Sequence, residues 1–182
     1  MKKFTLLLLA LLLAQTVKAQ ECSPVPLPYV EDFESALVNL IPQCTHKEIM
    51  AGNSWTVRPH KAGTYNGNVL TYTPCYEQAN AWFFSKPIYL AQGHTYKMEY
   101  LYGNDSPTAV EKFKVTLCTK PAPSAATIPV KRHTVKGAHL NLEVSQELCV
   151  PVSGIYYIGI KVESAAYQGE LYIDDLMMYE GT

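Results

Sequence analysis

Val110-Glu111-Lys112-Phe113-Lys114-Val115-Thr116-Leu117 decides the fold class. Phe113, Val115 and Leu117 fall on one side of an extended chain, and Lys112, Lys114 and Thr116 fall on the other. That period of two marks a strand with one buried and one wet face. Upstream, Tyr96-Lys-Met-Glu-Tyr-Leu-Tyr102 repeats the pattern, with Tyr96, Met98, Tyr100 and Tyr102 together on one face. Downstream, Ile155-Tyr-Tyr-Ile-Gly-Ile-Lys-Val162 reads as a buried strand, and residues 171–178 as the last one. Shorter strands are expected at 54–58, 69–72, 81–85, 128–135 and 140–144. Ala91-Gln-Gly-His94 forms a turn, 121–129 an exposed loop, and 35–40 a brief helical turn. About ten short strands punctuated by Gly, Pro and Asn predict an all-β fold: an antiparallel two-sheet jelly-roll sandwich.

Residues 1–19 read as a secretory signal peptide. Lys2 and Lys3 precede a short apolar run, and Val17-Lys18-Ala19 supplies a small-residue cleavage site. The run is shorter than the roughly 20 residues that span a bilayer. Residues 20–182 are expected to form one domain, exported to the periplasm, the cell surface or the medium. Cys22 follows Ala19-Gln20-Glu21, which disfavours a lipid anchor. The full chain carries 15 basic and 16 acidic residues, and losing Lys2, Lys3 and Lys18 makes the remainder more acidic. No basic patch stands out, so neither nucleic acid nor an anionic membrane is an expected partner.

Export permits disulfides. Five cysteines leave at least one free or paired with another chain, a possible route to a partner protein. Cys22 and Cys44 flank the first acidic cluster and form the favoured bridge.

That cluster, Glu31-Asp32-Phe33-Glu34, has a counterpart near the end in Leu171-Tyr-Ile-Asp-Asp-Leu176. If the first and last strands are neighbours, Asp32, Glu34, Asp174 and Asp175 can converge on one hard cation. Calcium, which takes six to eight oxygen ligands, is the expected one. Unbroken alternation would put Tyr172, Asp174 and Leu176 on one side and Ile173 and Asp175 on the other. The competing reading is two solvated acidic turns.

Four stretches carry a resemblance. Pro28-Tyr-Val-Glu-Asp-Phe-Glu34, Ala81-Trp-Phe-Phe-Ser-Lys-Pro-Ile-Tyr-Leu90 with Gly93-His-Thr-Tyr96, Gly154-Ile-Tyr-Tyr-Ile-Gly-Ile160 and Leu171-Tyr-Ile-Asp-Asp-Leu176 occur in this order. Together they resemble the cleaved-adhesin, or choice-of-anchor J, modules of secreted Bacteroidetes proteins. The opening Asp-Phe-Glu and closing Ile-Asp-Asp also resemble MAM domains. The resemblance implies a galactose-binding-like or MAM-like jelly roll that binds rather than catalyses, and it favours Glu34 and Asp174 as cation ligands. Thr45 stands where many such modules carry a tryptophan. The sequence ends at Thr182, just past the last expected strand, where many carry a sorting domain. A module standing alone and a piece of a longer chain both fit.

The expected function is that of a secreted, non-catalytic, adhesin-like module recognising a glycan or a host or matrix protein. Sugar sites are mostly apolar with a few oriented polar groups. Tyr65, Tyr76 and Tyr167 fall in expected loops beside Asn66, Asn68, Gln78, Asn80 and Gln168. Tyr65, Tyr76, Tyr167, Asn66 and Gln168 are therefore the candidate ligand contacts. Trp55 and Trp82 read as core. Two alternatives stay open: an interaction module packing on a partner protein, and a small exported hydrolase. No histidines are spaced as a zinc pair, no GxSxG, P-loop or GxGxxG occurs, and the only obvious carboxylate clusters are the terminal ones. Lys131, Arg132 and Lys136 around His133 suit solvated edge charges better than an anionic glycan site.

Overall fold

The computed structural model describes residues 22–62 and 65–181, with the side chains of 61–66 outside the description. The expected signal peptide lies outside it too. Among the described residues the chain forms thirteen strands in two antiparallel sheets, with a single 3-10 turn at Pro123–Ala125. The strands are β1 (Tyr29–Glu31), β2 (His46–Ala51), β3 (Trp55–Ala62), β4 (Tyr65–Tyr72), β5 (Asn80–Phe84), β6 (Ile88–Leu90), β7 (Thr95–Asn104), β8 (Val110–Cys118), β9 (Ala126–Lys136), β10 (Leu140–Val144), β11 (Leu148–Cys149), β12 (Gly154–Val162) and β13 (Leu171–Glu180).

A seven-stranded sheet runs β10-β7-β13-β4-β3, with β1 paired to β13 and β11 to β7. A six-stranded sheet runs β2-β5-β12-β8-β9, with β6 paired to β12. The fold is the expected two-sheet jelly-roll sandwich.

The alternating stretches do what their spacing predicts. Phe113, Val115 and Leu117 of β8 face Tyr96, Met98 and Tyr100 of β7 across a dry interior, all of them buried. Trp55, Val57, Leu70, Phe83, Ile158 and Ile160 fill the same core. Each such side chain contributes roughly 1.5–3 kcal/mol by leaving water. Buried His133 continues the packing: its ring lies flat on Phe113 at 4.4 Å, and its Nε2 meets the Tyr100 hydroxyl at 2.7 Å. Burial lowers its pKa to about 4, so it is neutral at physiological pH.

Four expectations need correction. Tyr65 and Asn66 belong to β4 rather than to a loop, because the β3–β4 ladder continues out to the Tyr65–Ala62 pair. Residues 35–40 form turns, not a helical turn; Asn39 N–H and Leu40 C=O hydrogen-bond to Val57 along the edge of β3. Trp82 is buried but outside the main core. It stacks on Phe84 with Cys118 on the outer face of the six-stranded sheet.

The fourth concerns β13. A β-bulge breaks its register with β7 between Asp174 and Met177, and Asp175 adopts φ 46°. The extra residue reverses the parity of the strand. Leu171 and Ile173 face the core before the bulge, and Leu176 and Met178 after it. Leu176 therefore shares a side with Ile173, not with Tyr172 and Asp174.

Candidate functional site

Four of the connections that cross from one sheet to the other, 52–54, 73–79, 105–109 and 163–170, come together at one end of the sandwich. Hydrogen bonds stitch them into one rim. Asn53 Nδ2 donates to the Pro74 carbonyl (2.9 Å), Tyr167 N–H to the Cys75 carbonyl (2.8 Å), and Ala79 N–H to the Ser164 carbonyl (2.9 Å). Glu170 N–H donates to Asp105 Oδ1 (2.7 Å), and Val110 N–H to Gln168 Oε1 (2.8 Å). Gly52 is required here: its φ is +80°, and a Cβ would collide with the Tyr72 hydroxyl, which accepts the Asn53 N–H at 3.0 Å.

Between these loops lies a pocket of ≈ 530 Å³ lined by Asn53, Pro74, Cys75, Tyr76, Tyr167 and Gln168. Three of the five candidate contacts meet there. Tyr76 is 70% exposed and Tyr167 79%, so both residues present most of their surface to solvent. Tyr167 stands at φ 59°, a left-handed conformation that costs a tyrosine about 1 kcal/mol or more. Gln168 is committed to the protein: its oxygen accepts from Val110, and its nitrogen donates to the Ala166 carbonyl at 3.2 Å. It shapes the loop that presents Tyr167.

The side chains of Tyr65 and Asn66 lie outside the described residues, and their backbone sits at the end of β4 remote from the pocket. Seven steps along a strand separate Tyr65 from Tyr72, about 23 Å. Gln78 and Asn80 line a neighbouring groove on the outer face of the six-stranded sheet.

Sequence reasoning missed Asn53 and Glu111. Asn53 follows a glycine in a turn-like stretch. Glu111 lies two residues before Phe113, which places it on the inward face. It is fully buried, accepts a hydrogen bond from Ser164 Oγ at one oxygen, and has no hydrogen-bond partner for Oε1 among the described residues. Desolvation raises its pKa to about 7, against the opposing hydrogen bond from Ser164.

The acidic termini are brought together in part. β1 pairs with β13, Glu31 opposite Leu176, so the first and last strands are neighbours. Buried Glu31 pairs with Lys86 at 2.8 Å. Asp32 Oδ1 accepts the Glu34 N–H (3.1 Å), and Glu34 Oε1 the Asn68 N–H (2.7 Å). Asp175, exposed at the bulge, has its pKa raised by desolvation and then by the charges of Asp32 and Glu34. Asp174 is buried. Oxygen donors that repel one another suit a hard cation in chemistry. Yet among the described residues no three His, Cys, Asp or Glu side chains are grouped closely enough to hold a metal ion. The fit is one of donor type and neighbourhood, not of finished coordination.

Cys22 and Cys44 are joined by a disulfide, with Cα atoms 5.7 Å apart. Cys75, Cys118 and Cys149 are free, and Cys149 is exposed. Among the described residues no helix is long and apolar enough to cross a membrane.

No protein-family model matches the chain, and no curated protein matches it in sequence. Its fold is shared with solved structures. The K1 cleaved adhesin domain of Lys-gingipain from Porphyromonas gingivalis W83 superposes with a TM-score of 0.67 at 13% identity, over 85% of this chain and 98% of that one. The CBM22-2 xylan-binding domain of Paenibacillus barcinonensis Xyn10C superposes with 0.57 at 13% identity, over 84% and 99%. An arabinose-bound MgGH51 α-L-arabinofuranosidase gives 0.62 at 14%, but the match covers only 26% of that enzyme's chain. The architecture is therefore that of cleaved adhesin and carbohydrate-binding modules.

Proposed function

We propose that this chain is a secreted, non-catalytic binding module that holds a glycan in the pocket between loops 73–79 and 163–170. One observation carries the reading. The two most exposed tyrosines among the described residues, Tyr76 and Tyr167, line the same pocket, on loops locked together by the Tyr167–Cys75 backbone hydrogen bond. Loops held in this way lose little backbone freedom on binding, and each ring offers an apolar face and a hydroxyl to a pyranose. Gln168 and Asn53 keep the loops in shape. The xylan-binding and cleaved adhesin structures of the same fold support the ligand class and an extracellular setting.

Titration calorimetry against neutral oligosaccharides of xylose, galactose, glucose and mannose tests the proposal. Tyr76→Ala and Tyr167→Ala are expected to weaken saturable binding at least about tenfold. Wild-type affinity in both variants would refute the pocket.

We also propose that calcium binds at the acidic termini, with Asp32, Glu34, Asp174 and Asp175 as candidate ligands that it would draw together on binding, offsetting the repulsion at Asp175 and tying β1 to β13. Chelator should lower the melting temperature of the wild type and not of Asp175→Asn. An equal response in the two proteins would count against the site.

A second reading, docking on a partner protein, draws on the exposed apolar side chains of Leu37, Val38 and Leu40. A stable dimer or a co-purifying partner lost in Leu37→Ser would favour it.

A further inference from the structure

We infer that the outer face of the six-stranded sheet is a second binding site, for an acidic polysaccharide. Lys161 on β12, Lys114 on β8 and Arg132 on β9 stand in one row, because the register sets Lys161 opposite Lys114 and Lys114 opposite Arg132. Lys112 lies two residues along β8 on the same face. Lys131 stands opposite core-facing Val115 and pairs with Glu143 of β10, in the other sheet, at 3.3 Å, so it borders the array rather than belonging to the row. A single carboxylate, Glu163, serves three of these cations: Arg132 at 2.8 Å, Lys161 at 3.1 Å and Lys114 at 3.8 Å. Glu48 on β2 ends the same row beyond Trp82, so Lys112, Lys114, Lys161 and Arg132 face two carboxylates and positive charge is in excess here, on a chain whose formal net charge is −1.

Edge protection does not explain the array. It accounts for cations on β9, which ends the sheet, but not for Lys161 on β12, the middle strand. Shape supports the same conclusion. Two concavities, of ≈ 440 and ≈ 490 Å³, share Arg132. Lys114, Thr116, Thr127 and Lys131 contribute to the first, and Lys112, Lys161, Gln78 and Asn80 to the second. Two grooves in series suit an extended ligand. Adjacent strands place their cations about 4.8 Å apart, a step similar to one sugar unit along a chain.

Beneath the cations the surface is stiff. Trp82 lies under Lys114, whose Nζ is 5.3 Å from the ring centroid, and stacks on Phe84. Trp82 is only 4% exposed. It is unavailable for stacking on a nucleobase, the usual anchor of single-stranded nucleic acid. The face therefore recognises anionic groups on a polymer by charge and hydrogen bonding. Carboxylate and sulfate both meet that requirement.

The site is separate from the tyrosine pocket, although loop 73–79 contributes Tyr76 to one and Gln78 to the other. The test uses residues 20–182 with polygalacturonate, dextran sulfate, neutral dextran and a double-stranded DNA fragment as probes. Binding to polygalacturonate or dextran sulfate, but not to dextran, is expected at low salt and should weaken steeply as salt rises. The preferred polymer distinguishes carboxylate from sulfate recognition. Lys161→Ala and Arg132→Ala should each weaken binding about tenfold, as expected for lost charged hydrogen bonds. Tyr76→Ala should leave it unchanged. Lys97→Ala/Lys120→Ala removes two charges elsewhere and should also leave it unchanged. Equal loss in that control would reveal nonspecific attraction and overturn the proposal. So would tighter binding to the DNA, or no binding to either acidic polymer by folded protein.

Discussion

Replacing Glu111 by glutamine should stabilise the protein at pH 8 and do little at pH 4.5. The side chain is fully buried, and its folded pKa stands near 7 against an ordinary value of 4.5. A carboxyl whose pKa is raised by folding contributes its full stability below the unfolded value and loses it as pH rises through the folded value. Between pH 4.5 and 7 the loss accumulates at about 1.4 kcal/mol per unit, reaching about 3 kcal/mol. Glutamine keeps the shape, accepts from Ser164 through its amide oxygen, and never ionises. At about 2–4 °C per kcal/mol for a chain of this size, its melting temperature at pH 8 should exceed the wild type's by up to about 10 °C. Urea unfolding of both proteins at half-unit steps from pH 4.5 to 8.5 gives the curve directly. Taking the difference between the two proteins cancels the opposite trend from His133. A difference that stays constant across that range would show that Glu111 is ionised in the fold at little cost, and would refute the reasoning.

Other outcomes follow from the same structure. His133, neutral when folded with a pKa near 4, should make the wild type lose up to about 3 kcal/mol as pH falls from 6.5 to 4; His133→Gln should flatten that limb of the stability profile, and an unchanged limb would count against the assignment. Gly159→Ala would set a Cβ 2.7 Å from Cys118 Sγ and 3.3 Å from Trp82, an overpacking expected to cost about 1–3 kcal/mol by chemical denaturation. Wild-type stability there would mean that the outer-face cluster gives way easily. Opening the Cys22–Cys44 bridge, which spans 22 residues, should cost about 3 kcal/mol, read from the melting temperature of Cys22→Ser/Cys44→Ser.

The fold was legible where burial is one-sided. Residues 110–117 and 96–102 alternate because one face of each strand meets the core and the other meets water. β2 left no such trace: it is an edge strand, and none of its residues is fully buried. The outer half of β4, Tyr65-Asn-Gly-Asn68, has poor strand propensity and is carried by its ladder with β3. The bulge in β13 was invisible because Asp174-Asp175 fits unbroken alternation equally well. The site was legible residue by residue but not as a site. Tyr76, Tyr167 and Gln168 stand out as loop positions. Their meeting depends on which connections cross between the sheets at the same end, which is a property of the whole topology. Glu111 carried a local signal in its inward spacing with Phe113. The cation row carried none, because Lys161, Lys114 and Arg132 come together only through strand pairing.

The central claim is that Tyr76 and Tyr167 form one glycan-binding pocket. An amide NMR titration of residues 20–182 with neutral xylo-, galacto-, gluco- and manno-oligosaccharides tests it most directly. The account predicts saturable shifts concentrated in 52–54, 73–79 and 163–170 for at least one sugar, abolished in Tyr76→Ala/Tyr167→Ala. Shifts centred elsewhere, or none with any of the sugars, would contradict it.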